Sequence, residues 1–142
     1  MKIGQIVTRP LVTIASNKTL FDAANLMVEK NIGLLVVSDQ NDAASLVGVI
    51  SERDIIRIVA ASKPLNVPLR QASTKQTITV HEDAEVAEAA KAMNKNRIRH
   101  VVVVDVRGKP IGVVSMRDLV GERATLSAIL QSHEKEIFHG AD

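Results

Sequence analysis

The phrase GVISERD, residues 48–54, returns as GVVSMRD, residues 112–118, and this repetition constrains the fold more than any other feature of the chain. It extends far beyond the phrase. Thr13 and Thr79, Met27 and Met93, Ile32 and Ile98, Val36 and Val102, and Asp39 and Asp105 all recur at a spacing of 66, while the closing phrases recur at 64. A first inter-strand loop, QNDAAS, that is two residues longer than its counterpart accounts for the difference. The duplication covers roughly residues 8–60 and 74–124, so one supersecondary unit is used twice.

Each copy reads as β-α-β-β-α. Short strands, LVTI and TITV, lead to cap signals and amphipathic helices, with Leu20, Ala23, Ala24, Met27 and Val28 on one face of the first and Val86, Ala89, Ala90 and Met93 on the second. The apolar runs LLVV and VVVV have the composition of strands covered on both faces. Turns follow, over Gln40 to Ser45 and over VRGKP, and then LVGVI and PIGVV run into further helices. Between the copies, SKPLNVPLRQAS (62–73) carries Pro64 and Pro68 and reads as an ordered linker. Residues 122–138 continue as a helix with Leu126, Ile129, Leu130 and Ile137 along one side, a stripe that either closes the core or meets a second copy.

Composition narrows the function. The 142 residues, 46% apolar, suffice for one compact domain or two small subdomains sharing a core. The absence of cysteine excludes disulfides, thiolate zinc sites and cysteine nucleophiles. MKIGQIVTRP lacks a signal-peptide core and no run approaches a membrane span, so a soluble cytoplasmic protein without membrane attachment is expected. A net charge of +2 and only two aromatics, Phe21 and Phe138, argue against nucleic-acid binding, which needs a basic footprint or stacking platforms.

Catalytic signatures are missing as well. His81, His100, His133 and His139 have no clustered spacing for a metal, and HEDAEVAE (81–88) reads as the acidic first turn of a helix. No phosphate-binding glycine loop and no serine elbow is present, so no enzymatic activity is expected.

Two readings of Ser51-x-x-Asp54 and Ser115-x-x-Asp118 stand side by side. The spacing is that of a helix capping box, which Thr19-x-x-Asp22 also shows. The position, where a buried strand passes into a helix, is also where α/β sheets leave ligand crevices. A carboxylate there can accept hydrogen bonds from two vicinal ribose hydroxyls, and the two roles are compatible.

The doubled β-α-β-β-α order, the strand-ending Asp39 and Asp105, and the doubled G-h-h-S-x-R-D (h apolar) resemble a tandem pair of cystathionine β-synthase (CBS) domains, a Bateman module, over almost the full length. The resemblance implies an α/β fold of two repeats, 1–66 and 67–142, packed as a pseudo-two-fold pair. It further implies a non-enzymatic sensor that binds AMP, ADP or ATP between the repeats, forms a homodimer and acts on a separate effector protein. A ligand-free interaction module and an S-adenosylmethionine binder are the alternatives.

Carried onto this chain, the resemblance gives Asp54 and Ser51 one pocket, opposite Thr74, Lys75, Gln76 and the RIRH run with Ile98, Arg99 and His100. Asp118 and Ser115 share the other, opposite Thr8, Arg9, Pro10 and the NIGL run with Ile32, Gly33 and Leu34. Arg99 and His100 would hold phosphate, so the Asp54 pocket is expected to prefer the more anionic ligand, with Arg9 the nearest cation to Asp118. Arg53 and Arg117 are either phosphate contacts or surface salt bridges. Ile14, Ile32, Ile50, Val80, Val101 and Val114 are either walls for the base or core residues.

Overall fold

A computed structural model describes residues 1–7, 10–120 and 130–132. Thr8, Arg9, His133, His139 and all but Leu130 of the apolar stripe expected over 122–138 lie outside these residues. The apolar runs become the central strands of two three-stranded sheets. In the first, β2 (Leu34–Asp39) pairs in parallel with β1 (Thr13–Ala15) and antiparallel with β3 (Asp42–Ser51). In the second, β5 (His100–Val104) lies likewise between β4 (Thr79–His81) and β6 (Pro110–Ser115). Leu35, Val36 and Val37 are buried in succession, as are Val101, Val102 and Val103, so both faces of each central strand are covered.

The registers repeat at the helix-proximal end. Leu34 opposes Ser51 as His100 opposes Ser115, and Val37 opposes Gly48 as Val103 opposes Gly112. The two additional residues of the first copy are absorbed at the other end. There β3 begins at Asp42, inside the stretch expected as a turn, and the β2–β3 pairing shifts register after Val37 and again after Ser38. The Asp39 and Asp105 carboxylates each tie down their loop, accepting the N–H of Asn41 at 2.8 Å and those of Arg107 and Lys109 at 2.9 Å. The backbone N–H of Lys109 is the main cause that holds the Asp105 carboxyl below its ordinary range.

Helix α1 (Leu20–Lys30) starts at a complete capping box: the Asp22 N–H donates to Thr19 Oγ1 at 3.2 Å and the Thr19 N–H to Asp22 Oδ2 at 2.9 Å. Leu20, Ala23 and Met27 are buried, whereas Val28, expected on the same face, is 83% exposed. At about 100° per residue Val28 lies about 80° from Leu20, at the edge of the stripe. Helix α4 (Val86–Asn96) buries Ala89 and Met93. It starts later than the acidic run suggests, so only Glu88 falls in its first turn. Glu85, at its N-cap, instead receives the chain's amino group at 3.0 Å and Lys2 Nζ at 2.9 Å.

The cores do not follow the division of the chain at 66/67. Ile3, on a short 3-10 turn, is fully buried in the second core with Met93, Val101 and Val114. Leu69, on the short helix α3 (Leu69–Ala72), is fully buried in the first core with Leu20, Leu35 and Ile50. Each repeat therefore takes its opening segment from the stretch that precedes the other. The hydrogen bonds match at the 66-residue spacing: Ile3 N–H donates to Ala84 O at 2.8 Å, and Leu69 N–H to Lys18 O at 2.7 Å.

The exchange explains the glycine of the doubled phrase. A Cβ on Gly48 would collide with the carbonyl oxygen of Thr74, and one on Gly112 with the side chain of Val7. Both crossings of an exchanged segment over a strand thus fall at a glycine, with backbone in the way at Gly48 and a side chain at Gly112.

Candidate functional site

The last strand of each repeat delivers a serine to the start of a helix, α2 (Glu52–Ala60) after Ser51 and α5 (Met116–Val120) after Ser115. Both Ser-x-x-Asp pairs form capping boxes. The Asp54 N–H donates to Ser51 Oγ at 3.2 Å and the Ser51 N–H to Asp54 Oδ2 at 2.9 Å. The corresponding bonds of Ser115 and Asp118 are 3.1 and 2.9 Å. Each carboxylate thus uses one oxygen for the cap, and Oδ1 of Asp54 also faces Arg57 Nη1 at 3.8 Å.

One cavity of about 640 Å³ opens beside Asp118. Its second-repeat wall holds Ser115, Arg117 and Asp118, together with Val113, Met116, Arg99 and His100. The first repeat closes it with Pro10, Leu11 and Val12 on one segment and Asn31, Ile32, Gly33 and Leu34 on another. Asp118 and Ser115 thus share one cavity with Pro10 and the NIGL run.

Cationic side chains lie in the same cavity. Arg99 and His100, expected opposite Asp54, line the cavity of Asp118. Strand register is the reason: His100 pairs directly with Ser115, and the Met116 N–H donates to Arg99 O at 2.8 Å. The same link in the first repeat runs from the Glu52 N–H to Gly33 O at 2.9 Å, which brings Glu52 into this cavity as well. The Asp118 cavity thus holds Arg99, Arg117 and His100, while Arg9 and Thr8 lie outside the described residues.

The remaining candidates are not among the residues that line this cavity. Ile14 and Val101 are core residues at 8% and 1% exposure, Ile50 and Val114 are fully or almost fully buried, and Val80 and Ile98 pack against the second core. Thr74 exchanges two backbone hydrogen bonds with Val49, which places it two residues from Ser51. Gln76 and Arg53 are exposed. Lys75, expected at phosphate, folds back instead: its ammonium donates to Ser73 Oγ at 2.8 Å and to the carbonyls of Ser73 and Arg70, at the C-terminal end of α3.

Several lining residues are not among the candidates the sequence offers for a pocket, namely Leu11, Val12, Glu52, Val113 and Met116. Period-2 alternation could have identified Val113, since its neighbours Gly112 and Val114 are buried while it is not. Thr77, at the position equivalent to Leu11, has a buried hydroxyl without a hydrogen-bond partner in the described structure.

Chemically, the cavity joins aliphatic walls to two carboxylates, two guanidiniums and an imidazole. That donor set suits a ligand with a flat apolar part, hydroxyls and a charged tail. Among the described residues no group of three or more His, Asp or Glu could hold a metal ion, and no helix is long and apolar enough to cross a membrane.

Comparison with known proteins agrees with this architecture. The CBS domain family matches residues 3–61 and 69–124. A CBS domain protein from Pyrobaculum aerophilum, solved in complex with AMP, is 34% identical with a TM-score of 0.83, the match covering 92% of this chain and 99% of that one. The CBS domain pair of protein MJ0100, solved with 5-methylthioadenosine and S-adenosyl-L-methionine, is 31% identical with a TM-score of 0.75, over 84% of this chain and 96% of that one. An uncharacterized 17.7 kDa protein from Acidianus ambivalens is 38% identical over 83% of this chain and 70% of its own length. With both repeats matched over most of the chain, the protein belongs to the CBS domain family, as a tandem pair of such domains.

Proposed function

We propose that this CBS domain pair is a non-enzymatic sensor that binds an adenine nucleotide in the cavity beside Asp118 and passes its state to a separate effector protein. The observation that carries the reading is the cavity itself, which joins the Ser115–Asp118 helix start to Pro10–Val12 and Ile32–Leu34 of the other half. In this reading Asp118 Oδ1 accepts from the ribose hydroxyls while Oδ2 keeps the cap, and Ser115 borders the ribose. Arg99, Arg117 and His100 meet the phosphate. The adenine lies among Leu11, Val12, Ile32 and Val113 without aromatic stacking. Asp54, Ser51, Thr74, Gln76 and Arg53 make the second half-site, where the open hydroxyl of Thr77 offers a further contact.

A ligand that touches both repeats favours whichever relative arrangement of the halves, or of two protomers in a homodimer, makes the better contacts. The AMP complex of the Pyrobaculum protein supports the nucleotide. The S-adenosyl-L-methionine complex of MJ0100 supports a second reading, an adenosyl ligand with an amino-acid tail, for which the mixed charge of the cavity is suited.

Calorimetric titration with AMP, ADP, ATP and S-adenosylmethionine separates these readings. Heat from a nucleotide supports the sensor, heat from S-adenosylmethionine alone the second reading, and none from any ligand leaves an interaction module. Because the chain has no Trp, Tyr or Cys, an absorbance peak near 260 nm in a nucleic-acid-free preparation would also reveal a retained nucleotide.

A further inference from the structure

We infer that Glu52 sets the charge of the ligand tail admitted to the Asp118 cavity, selecting a monophosphate or a cation-bearing adenosyl tail against a polyphosphate. The inference rests on the adenosyl reading of that cavity. Glu52 is the one acidic lining residue supplied by the first repeat, across the site from Asp118. Its carboxylate occupies the space beside Gly33: a Cβ there would lie 3.1 Å from both Glu52 Cδ and Oε1. Gly33 thus makes room for the acid.

The equivalent positions in the second repeat are Arg99 and Met116, so at this pair of positions the first repeat presents an acid and the second a base. Among the described residues the Glu52 side chain makes no hydrogen bond and no close ion pair. A first-turn acid on α2 would be explained by the helix dipole alone, but that role does not require a glycine at residue 33.

The consequence follows from charge. Arg99 and Arg117 attract one phosphate, and each further phosphate adds negative charge to a cavity that already holds the carboxylates of Glu52 and Asp118. An ammonium or sulfonium in the tail gains from the same carboxylate.

The test is calorimetric titration of AMP, ATP and S-adenosylmethionine into wild-type protein, Glu52→Gln and Gly33→Ala at low ionic strength. The wild type is expected to bind AMP or S-adenosylmethionine more tightly than ATP. Glu52→Gln should raise ATP affinity relative to AMP by about tenfold and weaken S-adenosylmethionine, with the ATP gain shrinking in high salt. Gly33→Ala, which displaces the carboxylate without removing it, should shift the ratio in the same direction by less. Glu52 is exposed, so an unchanged melting temperature will separate a binding effect from a folding one. If the ligands bind but the ATP to AMP ratio is the same in wild type and Glu52→Gln, the inference fails while the adenosyl reading stands. If no ligand binds the wild type, the adenosyl reading itself is overturned.

Discussion

The two repeats agree at the ends of their strands and differ in what those ends carry. Leu34 opposes Ser51 and His100 opposes Ser115, and both serines cap a helix with an aspartate three residues on. Yet Gly33 with Glu52 in one copy is Arg99 with Met116 in the other, and Leu11 is matched by Thr77. Backbone hydrogen bonding holds the register, so side chains at the cleft can diverge without disturbing the sheets. The duplication supplies two serine-capped helix starts with the same strand register and unlike neighbouring charge.

The largest expected effect breaks the exchange of opening segments. Leu69→Ala and Ile3→Ala each remove a fully buried side chain that one half of the chain lends to the other, and each should cost about 2–5 kcal/mol in urea unfolding. If Leu69→Ala cost no more than a surface substitution, the linker would not belong to the first core. The glycines of the doubled phrase sharpen the same comparison. Gly48→Ala meets the Thr74 backbone and should cost about 1–3 kcal/mol, whereas Gly112→Ala meets the rotatable Val7 side chain and should cost less. Equal losses would show that the two crossings are equally rigid.

A smaller effect separates the two first helices. Thr19→Ala removes a cap that α4 lacks and should cost about 1 kcal/mol. Hydrogen bonds from Thr19, its backbone N–H first, hold the Asp22 carboxyl below its ordinary range. The unfolded chain then binds this proton more readily, so the contribution is present at neutral pH and fades as pH falls through the carboxylate range. Thr19→Ala keeps that N–H and loses only the hydroxyl's bond, so its unfolding followed by denaturant should show a slightly shallower acid-side loss than wild type, and a steeper one would contradict it.

Much of this was legible in the residues. The order of elements, the central strands and the capping boxes follow from period-2 and period-3.6 patterns and from Ser-x-x-Asp spacing. The exchange was less visible because Ile3 and Leu69 sit in short segments with no periodicity, although their spacing of 66 belongs to the same register. The place of Arg99 and His100 beside Ser115 is set by the hairpin rather than by any motif: antiparallel pairing brings the first residue of β5 to the last of β6. Lys75 illustrates the other gap, since nothing in its neighbours says that its ammonium turns back onto carbonyls at the end of α3.

The central claim is that Asp118 stands in a ligand cavity as well as at a helix cap, and one titration tests it most directly. AMP is titrated calorimetrically into wild type, Asp118→Ala and Asp118→Asn, with melting temperatures measured in parallel without ligand. Asp118→Ala is predicted to weaken binding by about 2–4 kcal/mol through loss of the ribose acceptor, with Asp118→Asn, which keeps a neutral cap, losing affinity at little cost in stability. Unchanged AMP affinity in both variants, with only a lower melting temperature for Asp118→Ala, would contradict the account and leave Asp118 a helix cap.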